Sequence, residues 1–360
     1  MPYILPADPA QRSDAISIAR VICILGVVYV HAWTGRNGVE LEGLRGSPQE
    51  IFRWILMEAM GRSAVPLLGL ISGWLVAGSS RTRNWTSHVA RKMRTIAVPM
   101  ILWNAIGIAI VSGAALTFSL QAPTPQSWGW VAQEIFILSR NPDINVQMPF
   151  LRDLFLCMLL APLFVRLPTA ALLILAVIAG VCHILGLGPP VLMRASILFF
   201  FLIGVVAQRA GVADRIAALP FWLSALPYAV LMPLRLLLAL HVGRDPGHDL
   251  VQTVDLIARV AAALFFWRLS LWLAVRPLGS ALLRIEPYAF FLFCAHLIFI
   301  WLAGPLVGTL TGPLGSPLYP LYLLLQPLLI LIPVIALATL LRRTMPPVAT
   351  LLSGGRLVRV

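Results

Sequence analysis

Two ionisable side chains interrupt the first apolar run of the chain. They are Arg20 and His31, in Ile16-Ser17-Ile18-Ala19-Arg20-Val21-Ile22-Cys23-Ile24-Leu25-Gly26-Val27-Val28-Tyr29-Val30-His31. Helical residues turn about 100° each, so eleven steps return to within about 20° of the starting face. Both side chains therefore project from one stripe, about 16 Å apart along the axis. An imidazole titrates near physiological pH, which suits His31 to proton transfer. Ionisable groups in hydrocarbon are costly unless they face a partner, a bundle interior or a water-filled cavity. The pair therefore marks a polar path along the first span.

Other polar groups lie deep in apolar sequence. Glu58 and Arg62 are four apart with the acid first, the favourable order for a same-face ion pair, and Asp255 and Arg259 repeat the arrangement. Self-neutralisation within each pair is enough to make its span insertable. Arg152 and Asp153 are consecutive and point about 100° apart, so each must reach a different neighbour, which argues for an interior polar network. His296 closes the aromatic-rich stretch that begins at Tyr288. Of the remaining histidines, His88 and His248 read as solvated loop residues, and His183 and His241 as hydrogen-bonded residues near span ends. No HExxH or other metal-ligand spacing is present, so no metal is expected. Cys23, Cys157, Cys182 and Cys294 read as small buried hydrophobes.

The elements that position these groups are membrane helices. Of 360 residues, 59% are apolar and only 11% charged, with a mean hydropathy of +0.90. A soluble domain of this length could not bury that much apolar surface, so the lipid bilayer is the expected solvent. The net charge of +13 is almost all arginine, and Lys92 is the single lysine. These charges sit at span ends and in short loops, where they orient helices, which argues against nucleic acid as a partner. Apolar runs of span length fall at about 16–33, 54–78, 95–118, 148–166, 168–187, 191–209, 219–241, 251–275, 286–307 and 318–341. The expected fold is an all-α polytopic bundle of about ten transmembrane helices. Pro168 and the Gly186–Pro190 stretch mark either turns between spans or breaks within one.

Orientation follows from the loop Arg81, Arg83, Arg91, Lys92 and Arg94, which carries no acid, and from Arg342, Arg343, Arg356 and Arg359 near the C-terminus. The excess of arginine fixes the cytoplasmic side, placing both termini inside the cell, Arg20 toward the cytoplasm and His31 near the outer face. The expected organisation is a cytoplasmic N-terminal segment (1–15) with no cleavable signal, a membrane domain (16–341) and a basic cytoplasmic tail (342–360).

At this point the residues resemble the acyltransferase-3 family of integral membrane O-acyltransferases, from about Arg12 to Leu341. The family hallmark of an arginine, ten intervening residues and a histidine in the first span is met by Arg20 and His31. Its second-span phrase, a proline followed by Ser-Gly and an aromatic, is met by Pro66 and Ser72-Gly73-Trp74. Its cytoplasmic RxxR with a following proline and tryptophan is met by Arg91-Lys92-Met93-Arg94, Pro99 and Trp103. Its late aromatic helix ending in histidine is met by Tyr288 to His296, with Pro287, Phe291 and Cys294 as departures from the usual motif. Any one fragment is weak, but four in the right order are specific.

The resemblance implies an inner-membrane enzyme that transfers an acyl group, usually acetyl, from cytoplasmic acyl-CoA to a hydroxyl of a glycan or lipid-linked sugar. It implies His31 as general base with Arg20 as its catalytic companion. Arg91 and Arg94, assisted by Lys92, would hold the CoA phosphates, and Glu58, Arg62, Arg152, Asp153 and His296 would form a supporting polar network. Arg20, Arg62 or Arg152 would serve as oxyanion donor. A succinyl donor would call for one more arginine near the site. The competing class is a membrane transporter or flippase for a glycan or proton-coupled solute. It finds no support in internal repeats or paired discontinuous spans.

Overall fold

The computed structural model describes residues 8–118, 120–241 and 249–357; His248 and the side chain of His241 lie outside the described residues. All regular structure among them is helical. Seven helices are long and apolar enough to cross a membrane among the described residues. They are α1 (Pro9–Val30), α2 (Pro48–Ala77), α3 (Trp85–Phe118), α9 (Phe221–His241), α10 (Asp249–Ala274), α11 (Pro277–Thr311) and α12 (Tyr319–Thr344). Between α3 and α9 lie the shorter α4 (Trp128–Phe136), α5 (Pro149–Phe164), α6 (Thr169–Ile184), α7 (Ala195–Arg209) and α8 (Val212–Ala218).

Each of the ten apolar runs is helical, but three are shorter than drawn from sequence. α5 and α6 have 16 residues each and α7 has 15. At about 1.5 Å per residue, 16 residues span about 24 Å, less than a hydrocarbon core of about 30 Å. Pro168 caps α6, Gly186 takes a left-handed φ of 66° just beyond its end, and α7 turns by 80° into α8. The breakers therefore end these helices inside the apolar runs. Conversely, α2 starts six residues before its apolar run and α11 starts nine before, because helix continues into the polar flanks.

The chain forms two compact units. The first comprises residues up to Cys23, Ser63–Lys92 and Asp153–Glu286. Its core packs the second half of α2 on α7 through glycine. A Cβ on Gly73 would stand 1.9 Å from the Phe201 carbonyl oxygen, and one on Gly204 would stand 2.0 Å from that of Leu70. Only glycine permits backbones this close. In the same unit the Asp255 carboxylate meets Arg259, Arg235 at 2.6 Å and His183 at 4.0 Å, so its neutralisation extends beyond the i,i+4 partner.

The second unit comprises Ile24–Arg62, Met93–Arg152 and Pro287–Val360. Here α1 crosses the first half of α2 at Gly26 and Gly61, where a Cβ on Gly61 would lie 2.6 Å from the Gly26 carbonyl oxygen. A wide π-helical stretch, Ile55–Arg62, carries that contact. Residues 342–357 are an integral part of this unit: after α12 the chain turns into α13 (Pro346–Ser353), whose Leu352 carbonyl accepts the Trp103 indole N–H at 3.0 Å.

Candidate active site

His31 follows directly on α1, and the residues around it are held by α11, α12 and the turn between them within the second unit. The Trp33 indole lies on Gly304 and Gly308, one helical turn apart on α11. The Trp33 carbonyl accepts the Tyr319 hydroxyl at 3.0 Å, the Thr34 carbonyl accepts the Leu314 N–H at 2.8 Å, and Arg36 Nε donates to the Leu314 carbonyl at 3.0 Å. Tyr29 reaches the Leu324 carbonyl at 3.1 Å. Ala32, Leu314, Tyr319, Tyr322 and Leu323 bury the apolar side of this segment. A histidine at a helix end would ordinarily be mobile; here bonds on both sides fix it.

That placement sets His31 beside His296, with ring centroids 5.4 Å apart and planes inclined by 39°. His296 is completely buried in α11, while His31 is half-buried. His296 Nδ1 lies 2.9 Å from the Phe293 carbonyl and 3.2 Å from that of Leu292. Carbonyls only accept, so Nδ1 carries the proton and Nε2 presents its lone pair. Nε2 has no protein hydrogen-bond partner. One imidazole is thus a fixed, buried acceptor, and the half-buried His31 ring lies beside it. This arrangement can take up a proton from a hydroxyl or thiol and pass it on.

The stretch before α5 braces α11 from another side. Gln147 donates to the Cys294 carbonyl at 3.3 Å, Trp301 donates to the Ile144 carbonyl at 3.2 Å, and Asn145 donates to the Trp103 carbonyl at 3.1 Å. Glu134 anchors its other end by accepting the N–H groups of Asp143 and Ile144 at 2.7 and 3.1 Å. Burial holds the Glu134 pKa above the ordinary carboxylate value, despite these two bonds. Asp143 shows the reverse balance: burial pulls it up, but the Trp130 indole and Arg140 outweigh burial and hold it low.

The remaining predicted residues are distributed as follows. Arg20 pairs with Glu286 at 3.3 Å in the first unit, and Glu58 with Arg62 at 3.0 Å in the second. Asp153 accepts the Arg194 backbone N–H at 2.7 Å. Arg94 is exposed, and Arg91 and Lys92 are half-buried. His88 is not a solvated loop residue. It is fully buried, donating Nε2–H to the Met158 carbonyl at 3.0 Å and presenting Nδ1 to Arg91 at 3.4 Å. The first turn of α3 carries this residue inward although the surrounding sequence is polar.

The family model for an acyltransferase domain matches residues 13–343 of the chain. The chain belongs to this acyltransferase family. Among curated proteins, it is 29% identical to the succinoglycan biosynthesis protein ExoH of Rhizobium meliloti (strain 1021). That match covers 96% of this chain and 93% of the relative. No solved structure matches significantly.

Sequence reasoning missed several residues that build this acyltransferase's histidine pair, namely Gln147, Trp33, Gly304, Gly308 and Tyr319, and it missed Glu286 as the partner of Arg20. Gly304-Pro305-Leu306-Val307-Gly308 is a GxxxG phrase in an apolar helix, a sequence sign of a close packing face. Glu286 stands immediately before Pro287 at the edge of an apolar run. Among the described residues no group of three or more His, Cys, Asp or Glu side chains is placed to hold a metal ion.

Proposed function

We propose that this multi-pass protein is an inner-membrane O-acyltransferase that moves an acyl group, most simply acetyl, from cytoplasmic acyl-CoA to a hydroxyl of a polysaccharide or its lipid-linked precursor. Ten apolar helical runs, of which α5, α6 and α7 are shorter than the hydrocarbon core, with both termini in the cytoplasm make up the topology, and the positive stretch Arg81–Arg94 faces the CoA pool. The observation that carries the reading is the His31–His296 pair inside a chain matched along residues 13–343 by the acyltransferase family. The similarity to the succinoglycan biosynthesis protein of Rhizobium supports a glycan acceptor.

In the reaction, the acceptor hydroxyl attacks the thioester carbonyl, the new C–O ester bond forms, and the C–S bond breaks. His31 takes the hydroxyl proton and returns it to the departing CoA thiolate, so the products are ester and free thiol. His296, with its proton fixed on Nδ1, orients the His31 imidazole. Arg91 and Arg94 hold the CoA phosphates with Lys92, arginine being suited to bidentate phosphate contact. Arg20, about 16 Å along α1 from His31, is too distant to touch a carbonyl held at the imidazole and serves the donor's route instead.

The test is transfer of labelled acetyl from acetyl-CoA to exopolysaccharide by the protein in lipid nanodiscs. His31→Ala is expected to abolish transfer while the protein stays inserted and monodisperse. Transfer that survives in this variant overturns the mechanism. Mass spectrometry of envelope and secreted glycans with and without the gene identifies the acyl mass and the acceptor.

A further inference from the structure

Gln326 lies inside α12 and is completely buried, yet neither its Oε1 nor its Nε2 has a hydrogen-bond partner. A buried amide with both ends unmatched is destabilising, because each end has lost water without gaining a partner. Natural cores tolerate such a group rarely, and where they do it commonly serves a ligand or a reaction. The neighbouring apolar positions, Leu325 and Pro327 included, give no packing reason for an amide here.

Its position on the helix says what it faces. Tyr319, Tyr322, Leu323 and Gln326 fall at steps of three and four residues, hence on one face of α12. That face packs on the end of α1: Tyr319 bonds the Trp33 carbonyl, and Tyr322 meets the Trp33 ring edge-on at 6.4 Å. Tyr29 bonds Leu324 farther along, so α1 and α12 run antiparallel here and His31 falls between these contacts. Gln326 is about 6 Å along the axis from Tyr322. Helical side chains lean toward their helix N-terminus, which brings the amide back toward Tyr322 and the segment carrying His31.

Acyl transfer at His31 needs a donor for the oxygen that becomes negative when the thioester carbonyl is attacked. Two of the three arginines suggested by sequence are engaged with carboxylates, Arg20 with Glu286 and Arg62 with Glu58. We infer that the Gln326 Nε2–H group is the oxyanion donor, binding the thioester carbonyl oxygen of acyl-CoA as the hydroxyl adds. A neutral amide serves this purpose well: held in a buried site, it needs no counter-ion and no reorganisation as charge develops. This inference rests on His31 as the proton acceptor of the same reaction.

The test compares Gln326→Leu and Gln326→Glu in nanodiscs, following acetyl transfer, acyl-CoA binding and the stretching frequency of a 13C-labelled thioester carbonyl. Both variants are expected to lose about a hundredfold in kcat while KM for acetyl-CoA changes less than threefold. The bound carbonyl should absorb at lower frequency in the wild type than in either variant. Gln326→Leu should unfold at an equal or higher temperature, since it removes an unmatched amide. A kcat within threefold of wild type in either variant, or an unshifted carbonyl band, overturns the assignment. If Gln326→Leu does not fold, Gln326→Glu carries the test alone, because it keeps the size and removes the N–H donor. Activity in His31→Ala instead removes the underlying mechanism, so the two failures are distinguishable.

Discussion

A Cβ on Gly308 would stand 2.1 Å from Cη2 of Trp33, with no space between the α11 backbone and the indole. Trp33 is two residues from His31, so this contact sets the level at which the imidazole meets His296. Gly308→Ala therefore forces the indole away and drags the His31 segment with it. Overpacking of this kind costs about 1–3 kcal/mol. The expected outcome is a lower unfolding temperature and at least a tenfold loss of kcat. Gly113, with nothing within 4 Å of its added Cβ, is the control. There alanine should leave activity intact and stabilise by about 0.5–1 kcal/mol through helix propensity. Equal behaviour of the two variants in a thermal-shift and turnover assay refutes this account.

The lesson for reading such sequences lies in which residues showed themselves. Arg20, His31, Glu58, Arg62 and His296 were visible because charge in an apolar run is costly and therefore conspicuous. Their partners were partly hidden. Glu58 and Arg62 pair within one turn, which spacing alone predicts. Arg20 and Glu286 are 266 positions apart, and no periodicity links them. Trp33, Gly304 and Gly308 are apolar or small in an apolar chain, so only the GxxxG spacing distinguishes them. Gln326 was overlooked for a similar reason, as one uncharged polar residue in a leucine-rich helix. Helix existence was legible throughout. The ends of α5, α6 and α7 were not, because proline and glycine can punctuate either a loop or a span.

Removing the positive side chains near the start of α3 should weaken binding of the proposed acyl-CoA donor. If these arginines hold the CoA phosphates as proposed, Arg91→Ala and Arg94→Ala each delete a charged hydrogen bond worth about 1.5–3 kcal/mol. CoA affinity measured by calorimetry should fall by about tenfold or more per variant, with a reduced dependence on salt. Arg91 also rests on the buried His88, so Arg91→Ala should lower the unfolding temperature more than Arg94→Ala, whose side chain is exposed. Unchanged CoA affinity in both variants removes the phosphate role.

The Arg20–Glu286 pair separates charge balance from function. Neither side chain is fully buried, and removing both together leaves no unmatched charge behind. Arg20→Met, Glu286→Met and the double variant should all remain folded. If Arg20 only balances Glu286, the double variant recovers wild-type turnover. If Arg20 also serves the donor, both Arg20 variants raise KM for acyl-CoA several-fold while Glu286→Met alone does not. The second pattern is expected, and recovery in the double variant would refute it.

The bracing stretch before α5 should report its own pH dependence through Glu134. Burial raises the Glu134 pKa in the folded protein above the ordinary 4.5, so the fold favours the protonated carboxyl more than the unfolded chain does. Its contribution to stability is therefore full below the unfolded pKa and lost as pH rises through the folded value. Asp143 has the opposite sign: its depressed pKa gives stability that is present above 3.8 and lost as pH falls through the folded value. The two windows lie on opposite sides of the ordinary carboxylate range. Glu134→Gln removes only the first. The unfolding temperature of wild type minus that of Glu134→Gln should fall as pH rises from about 4 and then level off. A difference that instead grows with pH would mean that the Asp143 and Ile144 N–H bonds outweigh burial. Turnover at low pH gives a second reading, because Asn145 and Gln147 hold the Trp103 and Cys294 carbonyls from this same stretch.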